Sequence, residues 1–314
     1  MSAPSRACAS GSLQTEHLDC AVIIVNYNAE HDLDRLLTSI PAAANGLRLD
    51  VVVVDNASAR DPQDVIARHS FARLVRAPAN LGYSGGINVG LRHILPSATV
   101  LIANPDVTFD RGALSRLVET ARAAGAAVPL ILDGDGRRTN SLRREPTPVR
   151  AFGDAVAGDR FTRRPSWSSE TVYNAEDYDH VHAVEWATGA VLATDRALAD
   201  SIGWWDEDRF FLYSEETDYC RRLRDAGAQV MFDPNAVVRH REGGSGREDS
   251  LVALLAVNRV RYYRKYHASG PQTMCFAAAV GLRHLLRVHR RGDRLALRAL
   301  LSAPARRRLP GGRA

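Results

Sequence analysis

At 314 residues, 45% of them hydrophobic and 25% charged, the chain can bury one large core or two domains, and its composition is not that of a disordered protein. The net charge of +5 is unevenly spread: from Arg259 onward 14 basic residues face one acid, Asp293, leaving 27 basic and 35 acidic residues before it, and so acidic a body argues against a nucleic-acid binder. Four scattered cysteines (Cys8, Cys20, Cys220, Cys275), no apolar leader before Asp19 and no run near the ~20 apolar residues of a spanning helix lead us to expect a cytoplasmic protein, neither exported nor threaded.

The chain opens with a polar segment to residue 19, expected to be flexible. Ala21 to Asn28, AVIIVNYN, reads as a buried strand, and Leu33, Leu36, Leu37 and Ile40 then mark one face of a helix ending before Pro41. Asp50 to Asp55, DVVVVD, is a second buried strand ending in a carboxylate, and Asp61 with Pro62 starts the next helix. Arg73 to Arg76 is a short third strand. NLGYSGGIN, from Asn80, is a glycine-rich loop entering a helix near Gly86, and Thr99 to Ala103 is a fourth strand. Strands alternating with helices predict a mostly parallel, doubly wound α/β sheet.

VLIANPDVTFD (Val100 to Asp110) organises the whole. Asn104-Pro105 must end the fourth strand, because proline has no N–H, and Asp106 falls just past its C-terminal end, where open α/β sheets meet ligands. A carboxylate there suits a divalent cation held against a phosphate. Arg111 to Ala124 is an amphipathic helix stopped by Gly125, followed by another strand, AAVPLIL. From Asp133 to His182 periodicity fades, which reads as a mobile excursion over the site.

Order returns at VEWATGAVLAT (Val184 to Thr194), whose Gly189 allows a close approach. In GWWDEDRFFLYSEETDYCRRLRDAG, Ser214 is placed to cap a helix whose first turn holds Glu215, Glu216 and Asp218, more acid than a helix dipole asks for. A strand at Gln229 to Phe232 leads through Asp233-Pro234 to His240. In the basic tail, Arg283, Arg287, Arg290, Arg294 and Arg298 would stripe any helix there and suit an anionic membrane surface.

Taken in order, VIIVNYN, VVDNAS, NLGYSGGIN, NPDV, WATGA, the Gly203 to Gly227 segment and the His240 loop resemble glycosyltransferase family 2, in particular its bacterial rhamnosyltransferase-like members, over residues 20 to 268. The resemblance implies a nucleotide-diphospho-sugar transferase (GT-A) fold and inverting transfer of a sugar, rhamnose by family analogy, from a nucleotide donor to a glycan or lipid-linked acceptor, assisted by Mg²⁺ or Mn²⁺. It makes Asn26, Tyr27, Asp55, Asn80, Gly82 and Asn104 nucleotide-binding residues, and Asp106 and His240 metal ligands. Asn104 replaces the first acid of the family's Asp-x-Asp motif. Glu216 stands where the family has the Asp of its Glu-Asp pair, the general base, with Glu215 and Asp218 as competitors for that role. Trp186, Gly189 and Ala190 would wall the donor sugar, and Trp204, Trp205 and Asp206 would lie on the acceptor side.

The expected organisation is a transferase domain over 20–247, with a nucleotide-binding half (20–132) and an acceptor half (183–247), and a helical basic extension over 248–314 that could dock on the inner face of the plasma membrane. A sugar-phosphate nucleotidyltransferase would want a glycine-rich basic loop where Asn26-Tyr27-Asn28 stands, and a nicotinamide dehydrogenase a G-x-G-x-x-G turn. A non-catalytic, membrane-docked sugar-nucleotide-binding module has only the Asn104 and Glu216 departures in its favour.

Overall fold

The computed structural model describes residues 18–158, 161–241, 248–267 and 270–312. The segment expected to be flexible lies outside them, apart from Leu18 and Asp19, which open the first strand. The elements run β1 (Leu18–Asn26), α1 (Glu30–Ala44), β2 (Leu49–Asp55), α2 (Gln63–Ala67), β3 (Ala72–Arg76), α3 (Gly82–His93), β4 (Ser97–Ala103), β5 (Val107–Phe109), α4 (Ala113–Ala124) and β6 (Gly125–Leu132). There follow β7 (Leu142–Arg143), α5 (Pro148–Ala157), β8 (His182–Val184), β9 (Trp186–Ala187), β10 (Val191–Asp195), α6 (Arg196–Ile202), α7 (Glu215–Asp225) and β11 (Gln229–His240). Four helices close the chain: α8 (Asp249–Tyr266), α9 (Gly270–Leu285), α10 (Arg291–Leu301) and α11 (Ala303–Arg307).

The main sheet has the order β3-β2-β1-β4-β10-β6-β11-β5, with β8 also on β11. Its first four neighbours are parallel; β10 runs antiparallel to β4 and β6, so the second half is mixed. Both faces are covered, which is why β1 and β2 are continuous Val and Ile runs. Val22 and Ile24 pack with Leu33, Leu36 and Leu37 of α1, whereas Ile23 and Val25 join Ile87 of α3 and Tyr219 and Leu223 of α7. Register then sets the site: Asn26 is level with Asp55 and Ile24 with Ala103, so the loops after β1, β2 and β4 leave from one rim.

Four features differ from what the sequence leads one to expect. α1 continues through Pro41 to Ala44, where Asn45 turns left-handed at φ 48°, because Ala43 and Ala44 are also buried. The glycine-rich stretch is helical from Gly82: Gly86 and Gly90 bring α3 so near β1 that a Cβ would stand 2.6 Å from Val25 and 2.5 Å from Ile23, and packing overrides glycine's poor helix propensity. The described residues of the 133–182 excursion carry structure of their own, since Thr147 caps α5, which packs on α9, and β7 pairs with β9. β11 crosses Asp233-Pro234 by a bulge and continues to His240, as sheets accommodate proline at irregularities.

The tail is likewise packed. Ala253, Val257 and Tyr263 of α8, Phe276 and Val280 of α9, and Ala296 and Ala299 of α10 form a third core with Ala151 of α5. The arginines expected on one stripe fall on two helices and the turn between them, because the chain reverses at 286–290 and Gly292 tucks against Val252.

Candidate active site

At the first rim, Asn26 is fully buried and its amide donates to Ser58 Oγ at 3.2 Å, while its Oδ1 has no partner. Ser58 Oγ also accepts from Asn28 N at 3.0 Å, and Asp55 accepts from Ser58 N at 3.3 Å. Asn28 and Ala57 hold positive φ (53° and 63°), a strained backbone that is concentrated where the two loops meet. Tyr27 is half exposed beside them.

Asn56, which sequence reasoning passed over in favour of Asp55, ties this rim to the next loop. Its Nδ2 donates to Asn80 Oδ1 (3.1 Å) and Gly82 O (3.0 Å), and its Oδ1 accepts from Leu81 N (3.0 Å). Gly82 has φ 75°, and a Cβ there would lie 2.1 Å from the Phe211 carbonyl, so no other residue fits.

The loop after β4 meets two others. Asn104 N donates to Ala190 O at 2.9 Å, which fixes the Gly189–Ala190 turn over the Asn-Pro-Asp corner. Asp106 Oδ1 lies 3.1 Å from His240 Nε2, the last residue of β11, where Val107 and His240 are paired in register. Strand pairing therefore brings together two residues 134 positions apart, the two expected to share a cation.

α7 presents the acids. Tyr213 and Ser214, immediately before it, are both left-handed (φ 71° and 69°), and Ser214 makes no side-chain cap, contrary to expectation, because that backbone geometry is not the extended one a capping serine needs. Glu215 is buried and Glu216 partly so, each with one carboxylate oxygen lacking a partner. Burial raises Glu216 above the usual carboxylate range against the pull of nearby N–H groups and Arg143; Glu215 is raised well above it by burial and by Glu216. Gly189 adjoins this pair, since a Cβ on it would stand 3.4 Å from Glu216 Cβ.

Tyr83 joins the halves. Its hydroxyl is buried and unpartnered, and its phenol is pushed up by burial and then by the charges of Glu215, Glu216 and Asp106. One ring thus feels the strand-end aspartate and both helix-start glutamates. The only sequence signal for Tyr83 was an aromatic set inside a glycine-rich motif.

Asp218 is not available as a base. Its carboxylate, 1% exposed, accepts from Lys265 Nζ (2.5 Å), Tyr266 Oη (2.8 Å) and Arg222 Nε (3.0 Å). Asp206 shares Lys265 (2.8 Å) and pairs with Arg209 (2.9 Å); those bonds outweigh burial and lower its pKa. Trp205, expected on the acceptor side, is buried and stacked on Tyr219 with centroids 4.3 Å apart, so it belongs to the core, and the exposed indole is that of Trp204. Trp186 Nε1 donates to Arg144 O at 3.0 Å.

Among the described residues no three His, Cys, Asp or Glu side chains cluster as a closed metal cage. The Asp106–His240 pair, part-exposed with Asn104 two residues away, suits an ion that takes its other ligands from phosphate oxygens and water, as Mg²⁺ and Mn²⁺ do. No described helix is long and apolar enough to cross a membrane.

The fold is similar to that of solved GT-A glycosyltransferases. A mannosyltransferase from Pyrobaculum calidifontis, solved with GDP-Man and Mn²⁺, superposes with a TM-score of 0.54 at 18% identity, covering 93% of this chain and 76% of that one. The chain belongs to glycosyl transferase family 2, whose model matches residues 21–175, and it is a glycosyltransferase. It is 32% identical over 256 residues to the N-acetylglucosaminyl-diphospho-decaprenol L-rhamnosyltransferase of Mycobacterium tuberculosis, covering 77% of this chain and 82% of that one. It is also 29% identical over 219 residues to the low-salt glycan biosynthesis hexosyltransferase Agl10 of Haloferax volcanii, covering 67% and 63%.

Proposed function

We propose that the protein is an inverting transferase that moves rhamnose from thymidine-diphospho-rhamnose to a hydroxyl of a lipid-linked glycan, of the N-acetylglucosaminyl-diphospho-polyprenol type, in cell-wall polysaccharide assembly at the cytoplasmic face of the membrane. The observation that carries this reading is that one turn joins the two sides of the site: Asn104, beside the Asp106–His240 pair, holds the Ala190 carbonyl at 2.9 Å, and the neighbouring Gly189 lies against Glu216. The mycobacterial relative's name, an L-rhamnosyltransferase of N-acetylglucosaminyl-diphospho-decaprenol, suggests the sugar and the acceptor class.

In this reading residues 20–132 bind the nucleotide through Asn26, Tyr27, Asp55, Asn80, Gly82 and Asn104, and residues 183–247 bind the sugar and acceptor. Trp186, Gly189 and Ala190 wall the sugar, with Trp204 and Asp206 toward the acceptor. Glu216 takes the proton of the acceptor hydroxyl as its oxygen bonds to the anomeric carbon from the side opposite the departing diphosphate. Its raised pKa makes it a stronger base, while Gly189 leaves the room its side chain needs. One carboxylate suffices for a single displacement. Asp106 and His240 would hold a divalent ion, Mg²⁺ or Mn²⁺, that offsets the charge gathering on the leaving diphosphate.

The test is transfer of labelled sugar to N-acetylglucosaminyl-diphospho-polyprenol from a panel of sugar nucleotides, with Mn²⁺ or Mg²⁺ and with chelator. Preference for the rhamnosyl donor and a product of inverted anomeric configuration are expected. A retained configuration would sink the single-displacement reading, and a different preferred donor the rhamnose one.

A further inference from the structure

We infer that α5 and the turn between α9 and α10 form a bilayer-docking surface for anionic phospholipid, an inference that rests on, and deepens, the proposed lipid-linked acceptor. α5 is amphipathic with the wrong side out for a soluble helix. Ala151 and Ala155 are buried, Ala151 in the core with α9, while Val149, Phe152 and Val156, spaced three and four apart, are more than half exposed. Trp167 (63% exposed) sits in a single helical turn that lies against α5, where a Cβ on Gly153 would strike the Ser168 carbonyl.

The second part of the surface abuts the end of α5. Arg283 donates to Asp154 O at 3.3 Å, and the Arg287 guanidinium reaches Gly158, the residue that closes the helix. Leu285, Leu286 and Val288 around it are exposed. A monomer in water rarely leaves so many large apolar side chains uncovered in one region.

Charge selects the occupant. Arg163, Arg283, Arg287 and Arg290 border the apolar residues, and the nearby described acids are taken: Asp154 pairs with Arg164 (2.6 Å) and Asp293 with His284 (2.6 Å). Aromatic and aliphatic side chains edged by arginine match the boundary between acyl chains and acidic headgroups. Beside Trp167 opens a cavity of about 850 Å³ walled by Arg144, Arg163 and Arg164, with Asp177, 3.8 Å from Arg144, as its one acid among the described residues. Arg144 follows β7, which pairs with β9 two residues before Gly189 and so leads from the docking face toward Glu216.

The experiment is sedimentation of the full chain with vesicles of phosphatidylcholine alone or mixed equally with phosphatidylglycerol. Wild type should pellet with the anionic vesicles and stay largely in solution with the neutral ones. Arg287→Gln with Arg290→Gln should weaken anionic partition about thirty-fold, and Phe152→Ser with Trp167→Ser should weaken it at least as much. Unchanged melting would certify both folds, and their transfer to a short-chain, water-soluble acceptor should match wild type. Equal pelleting with both vesicles, or variants that pellet like wild type, would overturn the inference. So would a wild-type dimer that Phe152→Ser dissolves without any vesicle binding. Vesicle binding by a protein that transfers no sugar would leave this surface standing while removing the transferase reading, so the two fail separately.

Discussion

Gly189 and Glu216 are in van der Waals register: a Cβ at Gly189 would stand 3.4 Å from Glu216 Cβ and 3.7 Å from its Cδ. An alanine fits at that distance, whereas a branched side chain must displace the glutamate. Gly189→Ala is expected to retain most of kcat. Gly189→Val should lose on the order of tenfold to hundredfold, the scale set by displacing a reacting group about 1 Å. Steady-state kinetics of the two variants checks this, and equal activities would show that the contact does not matter.

The acid limb of kcat should lie above the usual carboxylate range of about 4.3. Glu216 must be deprotonated to act, and its pKa is raised, so activity is expected to fall as pH drops through that raised value. The charge of Glu216 raises Glu215 further still, so Glu215 keeps its proton while Glu216 loses its own. Glu215→Gln should therefore leave the limb near its wild-type position, which a pH–rate profile of both proteins would read, and a limb moved to lower pH would show that a charge on Glu215 acts on Glu216.

Asp106 should govern cation dependence. If it holds a divalent ion against the diphosphate, thymidine diphosphate with Mn²⁺ will raise Tm in wild type, and Asp106→Asn will lose the part of that rise which needs the metal. His240→Ala should keep the rise but shift it to higher Mn²⁺ concentration. Thermal melts over a Mn²⁺ series with and without nucleotide separate these cases.

Lys265, the only lysine in the chain, acts on stability. Its ammonium bridges Asp206 and the almost fully buried Asp218, so Lys265→Ala leaves a buried carboxylate held by Arg222 and Tyr266 alone. A loss of roughly 2–3 kcal/mol is expected, below the full value for a broken buried pair because two partners remain. Thermal melting should show Tm lowered by roughly 4–12 °C.

The site's strand ends were legible because burial on both faces writes itself as unbroken runs such as VIIV and VVVV, and proline marks where β4 must stop. The helix-start acids were legible as a cluster, but not their division of labour. Which of them is free depends on Lys265 and Tyr266, which return from α8, 47 and 48 residues later. Tyr83 was missed because its significance is purely spatial, and Trp205 was misassigned because a Trp-Trp pair does not say which ring is buried. The excursion before residue 182 showed no periodicity of its own, since α5 buries small alanines against α9 and leaves its large residues outside.

Whether Glu216 removes the acceptor's proton is decided by Glu216→Gln assayed for transfer and for donor binding on the same preparation. A fall in kcat of about 100- to 10,000-fold is expected, with donor affinity and Tm within error of wild type or higher. A purified Glu216→Gln protein that turns over at the wild-type rate would contradict that role.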